Sequence, residues 1–251
     1  MRIAALSDIH GNLSALDAAL EDIGRRGADL IVNLGDIVSG PLMPRETAER
    51  LMALDLPTIP GNHERQLLDS NRDAMGASDR HAAECLSQSQ KRWLDALPTS
   101  LRLTDEVFLC HATPQSDVAC YLEDIRDGEL VPASLADIEE RTKPCAAALI
   151  LCGHTHIPRV ARLSGGQIVV NPGSVGIQAY EGYHPIPHTL ELGSPHARYA
   201  IVERAAQGWI VEQFAIPYDW EAAAMLAQRN GSLGWSRALR TGFIREAEAA
   251  R

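Results

Sequence analysis

The sequence predicts an α/β fold that carries a second, antiparallel sheet, and three observations predict it. Short apolar runs alternate with segments of helical period through the first third of the chain. Asp8, Asp36 and Asn62, each just past the end of one such run, lie 28 and 26 residues apart, the spacing of successive strand-helix-strand units whose strands pair in parallel. The second half offers hairpins instead: Ser164-Gly165-Gly166 divides residues 159–163 from 167–170, and Ala206-Gln207-Gly208 divides 199–203 from 209–216.

In order, residues 2–6 read as a first strand, and Leu13, Leu16, Ala19, Leu20 and Ile23 as one face of a helix that Gly24 or Gly27 ends. Residues 30–34 form the second strand, 45–54 a helix, and 58–60 a short third strand. Residues 64–97 are mostly helical, interrupted at 71–79, with Ala82, Ala83, Cys85, Leu86, Trp93 and Leu94 as the buried face. Residues 101–103 and 107–110 pair around Thr104-Asp105-Glu106. The stretch after His111 has no readable pattern until a helix at 134–141. A strand over 149–151 follows, and Gly153 allows a sharp turn at its end. Helices at 221–228 and 233–249 close the chain, packed through Trp220, Leu226, Trp235, Leu239 and Phe243.

A chain of 251 residues with 45% hydrophobic content suits one globular domain spanning 1–251, whose last part, 218–251, is helical. The formal charge of -10 disfavours nonspecific attraction to nucleic acid or anionic membranes, so an anionic ligand must be attracted locally. Five cysteines without paired spacing, several in apolar runs, read as reduced thiols and point to the cytoplasm. Residues 1–6 lead straight into Asp8, leaving no room for a signal peptide, and no run of about 18 apolar residues occurs.

Five apolar runs end in groups that bind metals: Asp8 and His10, Asp36, Asn62 with His63, His111, and Gly153-His154-Thr155-His156. One sheet edge can bring such strand ends to a single point. Seven ligands, Asp8, His10, Asp36, Asn62, His111, His154 and His156, are too many for one tetrahedral ion and suit two ions sharing a carboxylate. Mixed nitrogen and oxygen ligation favours manganese, iron or zinc over magnesium or calcium.

The ordered signatures Asp8-x-His10, Gly35-Asp36, Gly61-Asn62-His63, His111 and Gly153-His154-x-His156 resemble those of the calcineurin-like metallophosphoesterases. Asn171-Pro172-Gly173-Ser174-Val175-Gly176 resembles a loop of the family's small bacterial branch; it lacks the lysine and following helix of a phosphate cradle. The resemblance implies a two-sheet α/β/β/α sandwich with an antiparallel second sheet. It also implies one ion on Asp8, His10, Asp36 and His156 and another on Asp36, Asn62, His111 and His154, with Asp36 bridging. His63 would then donate a proton or hydrogen bond toward the phosphate and leaving oxygen. Two divalent ions bring about +4, and two carboxylates with a shared hydroxide as nucleophile about -3, leaving about +1 to attract an anionic ester.

The function so implied is hydrolysis of small phosphodiesters or phosphomonoesters of nucleotide-like size. One alternative is a protein serine/threonine phosphatase, but that branch reads Gly-Asp-x-Val-Asp-Arg-Gly where this chain has Ser39 and Gly40 in place of the acid and the arginine. Those substitutions leave His63 without an identified orienting acid. The other alternative is a noncatalytic scaffold, as in the retromer subunit of the same fold, although His63 is retained here. A nuclease would need a basic, aromatic stripe that the chain lacks. His81 reads as a solvated helix residue, whereas His184, His188 and His196 fall in residues 177–196, which read as a flap near the site.

Overall fold

The computed structural model describes residues 1–69, 71 and 75–245. Strand β1 (Arg2–Leu6) leads into helix α1 (Leu13–Arg26). The Asn12 side chain accepts the Ala15 N–H at 3.2 Å, and Gly27 ends the helix at a φ of 77°. Strand β2 (Leu30–Asn33) returns parallel to β1, as the 28-residue spacing predicts. Helices α2 (Pro44–Leu54), α3 (Asn62–Leu68), α4 (Ala77–Cys85) and α5 (Gln88–Asp95) follow. The third strand expected at 58–60 reduces to a single bridge between Thr58 and Asn33. Pro57 and Pro60 lack the N–H groups that a longer ladder needs. Of the helical break expected at 71–79, residues 72–74 lie outside the described part, and its end comes earlier than expected, since α4 begins at Ala77.

Strands β3 (Ser100–Arg102) and β4 (Val107–Cys110) pair antiparallel. The stretch without a sequence pattern contains a hairpin, β5 (Glu123–Arg126) and β6 (Glu129–Pro132), before helix α6 (Leu135–Thr142). Strands β7 (Leu149–Leu151), β8 (Arg159–Arg162) and β9 (Ile168–Asn171) complete a five-stranded sheet of order β3-β4-β7-β9-β8. This second sheet is mixed, which corrects the antiparallel expectation: β4, β7 and β9 run parallel, because α6 forms a crossover between β4 and β7.

Residues 177–196 form a hairpin, β10 (Ala179–Gly182) and β11 (His188–Glu191), which joins β5 and β6 in a third sheet of order β10-β11-β6-β5. Strands β12 (Ala197–Ala205) and β13 (Gly208–Ile216) form the expected hairpin, yet they extend the first sheet to β13-β12-β1-β2 instead of building another. β12 alternates its side chains between two cores, with Tyr199 and Ile201 under the helices and Ala200 and Val202 facing the second sheet. Helices α7 (Trp220–Arg229) and α8 (Leu233–Thr241) close the described fold. Left-handed Gly242 ends α8 (φ 72°), short of the expected 249, and residues 246–249 lie outside the described part. Phe243 is exposed and rests on Gly193, while Ala223, Ala224, Ala227 and Leu239 fill the helix pair.

The layers follow from the cores. Ile3, Val32, Leu109, Leu151 and Val170 pack the first and second sheets face to face. α1 to α5 cover the outer face of the first sheet, and Ile138 of α6 with Tyr121 covers the second. The carboxyl ends of β1, β2, β4 and β7 consequently meet along one edge of the sandwich.

Candidate metal centre

Each strand that stops at this edge is followed by a turn that aims its polar residues inward. Five of the seven expected ligands, Asp8, His10, Asp36, His154 and His156, adopt left-handed backbone angles, φ between 53° and 70°. Such conformations cost on the order of 1–3 kcal/mol each outside glycine and cluster at functional sites. Gly153 does not supply the turn expected of it, because the left-handed residues are the histidines that follow. Its role is close approach: a Cβ there would lie 1.8 Å from Ser7 Oγ. The Asn171 loop locks this approach in place, since Asn171 Nδ2 donates to Gly153 O at 2.7 Å and Ser174 Oγ to Asp8 O at 2.8 Å.

The side chains gather in two groups. Asp8, His10, Asp36 and His156 offer ligand atoms within 4.8 Å of one another, and so do Asp36, His111 and His154. Asp36 belongs to both. Asn62 Oδ1 adjoins the second group, 3.2 Å from His111 Nε2 and 3.0 Å from His154 Nδ1.

The donor set fits cations. Carbonyls accept only, so the imidazole nitrogen facing one carries the proton. In the neutral rings that a cation requires, His10 Nδ1 donates to Ser39 O at 2.8 Å, His111 Nδ1 to Leu34 O at 2.8 Å and His156 Nδ1 to Ile177 O at 2.9 Å, leaving each Nε2 as a lone pair, although against burial Asp36 holds the His111 imidazole up at about 10 in the metal-free protein. His154 is reversed: Nε2 donates to Val118 O at 3.1 Å and Nδ1 is the lone pair. His10 Nε2 and His156 Nε2 then face each other at 3.2 Å, two acceptors with nothing to share but a cation or a proton. Burial disfavours the proton, lowering His10 to about 4 and His156 well below its usual range. Asp8 Oδ2 is fully buried without a hydrogen-bond partner, and burial, with Asp36 adding, pushes the carboxyl up to about 7. The Asn62 amide can turn either way: nitrogen inward it donates to His111 and His154, and oxygen inward it completes a ligand set. A cation selects the oxygen.

His63 stands beside these groups, its ring 5.4 Å from that of His10 and its backbone N–H donating to Asp36 Oδ1 at 3.0 Å. Its orienting acid, missing from the sequence motif, is Asp79 on α4. His63 Nδ1 lies 2.7 Å from Asp79 Oδ1, which also accepts the Ser39 hydroxyl at 2.6 Å. Burial works against a charged His63, but Asp36 and then Asp79 outweigh it and hold the imidazole up at about 9. Ser39, which stands where the related phosphatases have their acid, instead donates a hydrogen bond to one supplied from elsewhere.

Glu64 is a second residue that no motif reading assigned. It is buried, and it accepts four backbone N–H groups: Gly61 and Asp36 on Oε2 at 2.8 and 2.9 Å, Ile37 and Val38 on Oε1 at 2.8 and 3.3 Å. One carboxylate thus clamps the Asp36 turn to the Asn62 turn. Glu64→Gln keeps the volume but turns amide donors toward backbone donors. With an unsatisfied buried group costing about 1–3 kcal/mol, the thermal midpoint of the metal-free protein should fall by on the order of 5 °C in calorimetry. An unchanged midpoint would remove the clamp role.

The remaining histidines are peripheral to the two groups. His188 packs on Tyr180, whose ring lies 4.8 Å from that of His156, so the start of residues 177–196 reaches the site. His196 sits on Trp220, and half-buried His81 contacts Cys85.

Buried aspartates and histidines in two clusters joined by one carboxylate, at the strand ends of an α/β sandwich, form candidate metal-binding groups of the kind that dinuclear metalloproteins use. Residues 1–186 match the calcineurin-like phosphoesterase superfamily domain, and the chain belongs to that family. It is 30% identical over 199 residues to an uncharacterised protein of Methanocaldococcus jannaschii, covering 69% of this chain and 76% of that one. A metallophosphoesterase from Sphaerobacter thermophilus superposes with a TM-score of 0.76 at 25% identity, over 97% of this chain and 100% of the other. A hypothetical protein from Pyrococcus horikoshii gives 0.75 at 21% identity, over 96% and 98%.

Proposed function

We propose that this protein hydrolyses small phosphodiesters or phosphomonoesters of nucleotide-like size at two transition-metal ions, manganese, iron or zinc, with Asp8, His10, Asp36, Asn62, His111, His154 and His156 as ligands. The observation that carries the reading is the sharing of Asp36 between the two ligand groups. When bound, the ions supply Lewis acidity and an activated water at phosphorus. The chain's own work is positional. The backbone carbonyls of Ser39, Leu34, Val118 and Ile177 fix which imidazole nitrogen faces inward. Asp79 occupies His63 Nδ1, which leaves Nε2 to protonate the departing oxygen as general acid.

The protein serine/threonine phosphatase reading is weakened by packing as well as by motif. Gly40 stands where that branch has its phosphate-gripping arginine, and a Cβ at Gly40 would lie 2.3 Å from His10 O. A small ester in the cytoplasm remains the proposed substrate and setting. Among the described residues no helix is long and apolar enough to cross a membrane.

The test is an assay, with metal content measured, on nitrophenyl mono- and diesters, dinucleoside polyphosphates, cyclic nucleotides and phosphopeptides. Hydrolysis of the small esters supports the reading. Two ions per chain without turnover on any of them would establish the scaffold instead. Shortening the β10-β11 turn at 183–187 should change KM and substrate ranking with metal content intact, since Tyr180 ties this hairpin to the His156 side. Identical kinetics across the panel would remove residues 177–196 from substrate selection.

A further inference from the structure

We propose that the Arg65–Asp117 ion pair at the rim of the site sets the charge it accepts, so that monoanionic phosphodiesters are taken in preference to dianionic phosphomonoesters. This rests on the phosphoesterase reading above and adds the substrate class that the ligand set leaves open.

Arg65 projects from the first turn of α3, three residues beyond Asn62 and two beyond His63. Its guanidinium is bound to Asp117 through two bonds, Nε to Oδ2 at 2.6 Å and Nη2 to Oδ1 at 2.9 Å. Asp117 precedes Val118, whose carbonyl holds His154 Nε2 at 3.1 Å, so the pair bridges the rim between the Asn62 and His154 sides of the second ligand group. An arginine in this place could have offered a full positive charge to a phosphate oxygen. Here its charge is already spent on Asp117.

The surrounding charges make that pairing consequential. Glu64 and Asp79 are buried next to the ligands, Glu64 accepting four N–H groups as a carboxylate does and Asp79 holding His63 and Ser39. Among the described residues, no lysine or arginine is hydrogen-bonded or ion-paired to Asp8, Asp36, Glu64 or Asp79. Glu64, Asp79 and Asp117 outnumber Arg65 and a charged His63 by one, which cancels the surplus of about one positive charge carried by the loaded centre. A monoanionic ester leaves such a site near balance, whereas a dianion adds a second uncompensated charge.

The measurement uses two substrates with one leaving group: p-nitrophenyl phosphate, a dianion at neutral pH, and methyl p-nitrophenyl phosphate, a monoanion. The wild-type protein with two ions should have the higher kcat/KM on the methyl diester. Asp117→Asn releases the Arg65 charge and should move the ratio toward the monoester by about tenfold, whereas Arg65→Gln leaves Asp117 alone and should move it the other way by a similar factor. Both shifts should shrink as salt rises, because the pair is partly exposed. Calorimetric binding of methyl phosphate and dimethyl phosphate to the same three loaded proteins gives a readout independent of turnover, and the affinity ratio should move in the same directions. A wild-type preference for the monoester, or ratios that stay within twofold across all three proteins, would overturn the charge assignment while leaving the phosphoesterase reading intact. If none of the three hydrolyses either ester, the phosphoesterase reading falls, and a binding ratio unmoved by both substitutions then overturns the charge assignment as well.

Discussion

Asp36→Asn should abolish hydrolysis and lower the occupancy of both metal sites at once. The substitution preserves shape, and the amide can keep an oxygen for the His63 N–H, so the effect isolates the charge and the second ligand atom. Asp36 Oδ2 lies 3.3 Å from His111 Nε2 and 3.9 Å from His10 Nε2, which puts one carboxylate between the two ligand groups. Its pKa is held well below the usual carboxylate range: burial opposes this, but His111 and His63 outweigh it. Asp8→Asn provides the contrast, because Asp8 approaches His156 at 3.6 Å and belongs to the first group only. Elemental analysis should find about one ion per chain in Asp8→Asn and fewer than one in Asp36→Asn. Losing the Lewis acidity of both ions removes several kcal/mol of transition-state stabilisation, so kcat should fall on the order of 10³-fold or more. Two ions retained with normal turnover in Asp36→Asn would show that the carboxylate does not bridge.

The residues of the two clusters were legible as candidates because each one closes an apolar run, a pattern that is local in sequence. Leu34-Gly35-Asp36 and Leu109-Cys110-His111 need no knowledge of packing to be read as strand ends. Asp79 was not legible. It lies 16 residues past His63 in the first turn of α4, where an acidic residue is ordinary as a partner for the helix dipole. Only the packing of α3 against α4 turns its carboxylate toward Nδ1. Glu64 was hidden for a similar reason, since a glutamate near a helix start reads as a capping residue and its bonds reach across to a turn more than twenty residues upstream. The third sheet escaped notice because Glu123-Asp124-Ile125-Arg126 has almost no apolar alternation, and its one fully buried acid, Glu123, is held by Thr155 at 2.8 Å and Arg159 at 3.1 Å. Hairpin signals located β12 and β13, but nothing in them specifies which sheet a hairpin joins. That choice was made by the open edge of β1 and by the two-sided burial of β12.

Removing His63 should separate esters by the basicity of what leaves. An alkoxide needs a proton in the transition state, whereas nitrophenolate needs little help. His63→Ala should therefore keep both ions and lose roughly 10²- to 10⁴-fold in kcat on alkyl esters, with a smaller loss on nitrophenyl esters. Asp79→Asn tests how the imidazole is held. The amide can still meet Nδ1 but no longer supplies the charge that favours the imidazolium, so the same discrimination between leaving groups should appear in weaker form, roughly tenfold on alkyl esters. Because the two residues act as a unit, the double variant should lose little more than His63→Ala alone. An Asp79→Asn loss that is equal on both ester classes and adds fully to that of His63→Ala would assign Asp79 to the packing of α4. Equal losses on both classes in His63→Ala itself would move His63 from proton donation to stabilising charge on the phosphate, which operates whatever group departs.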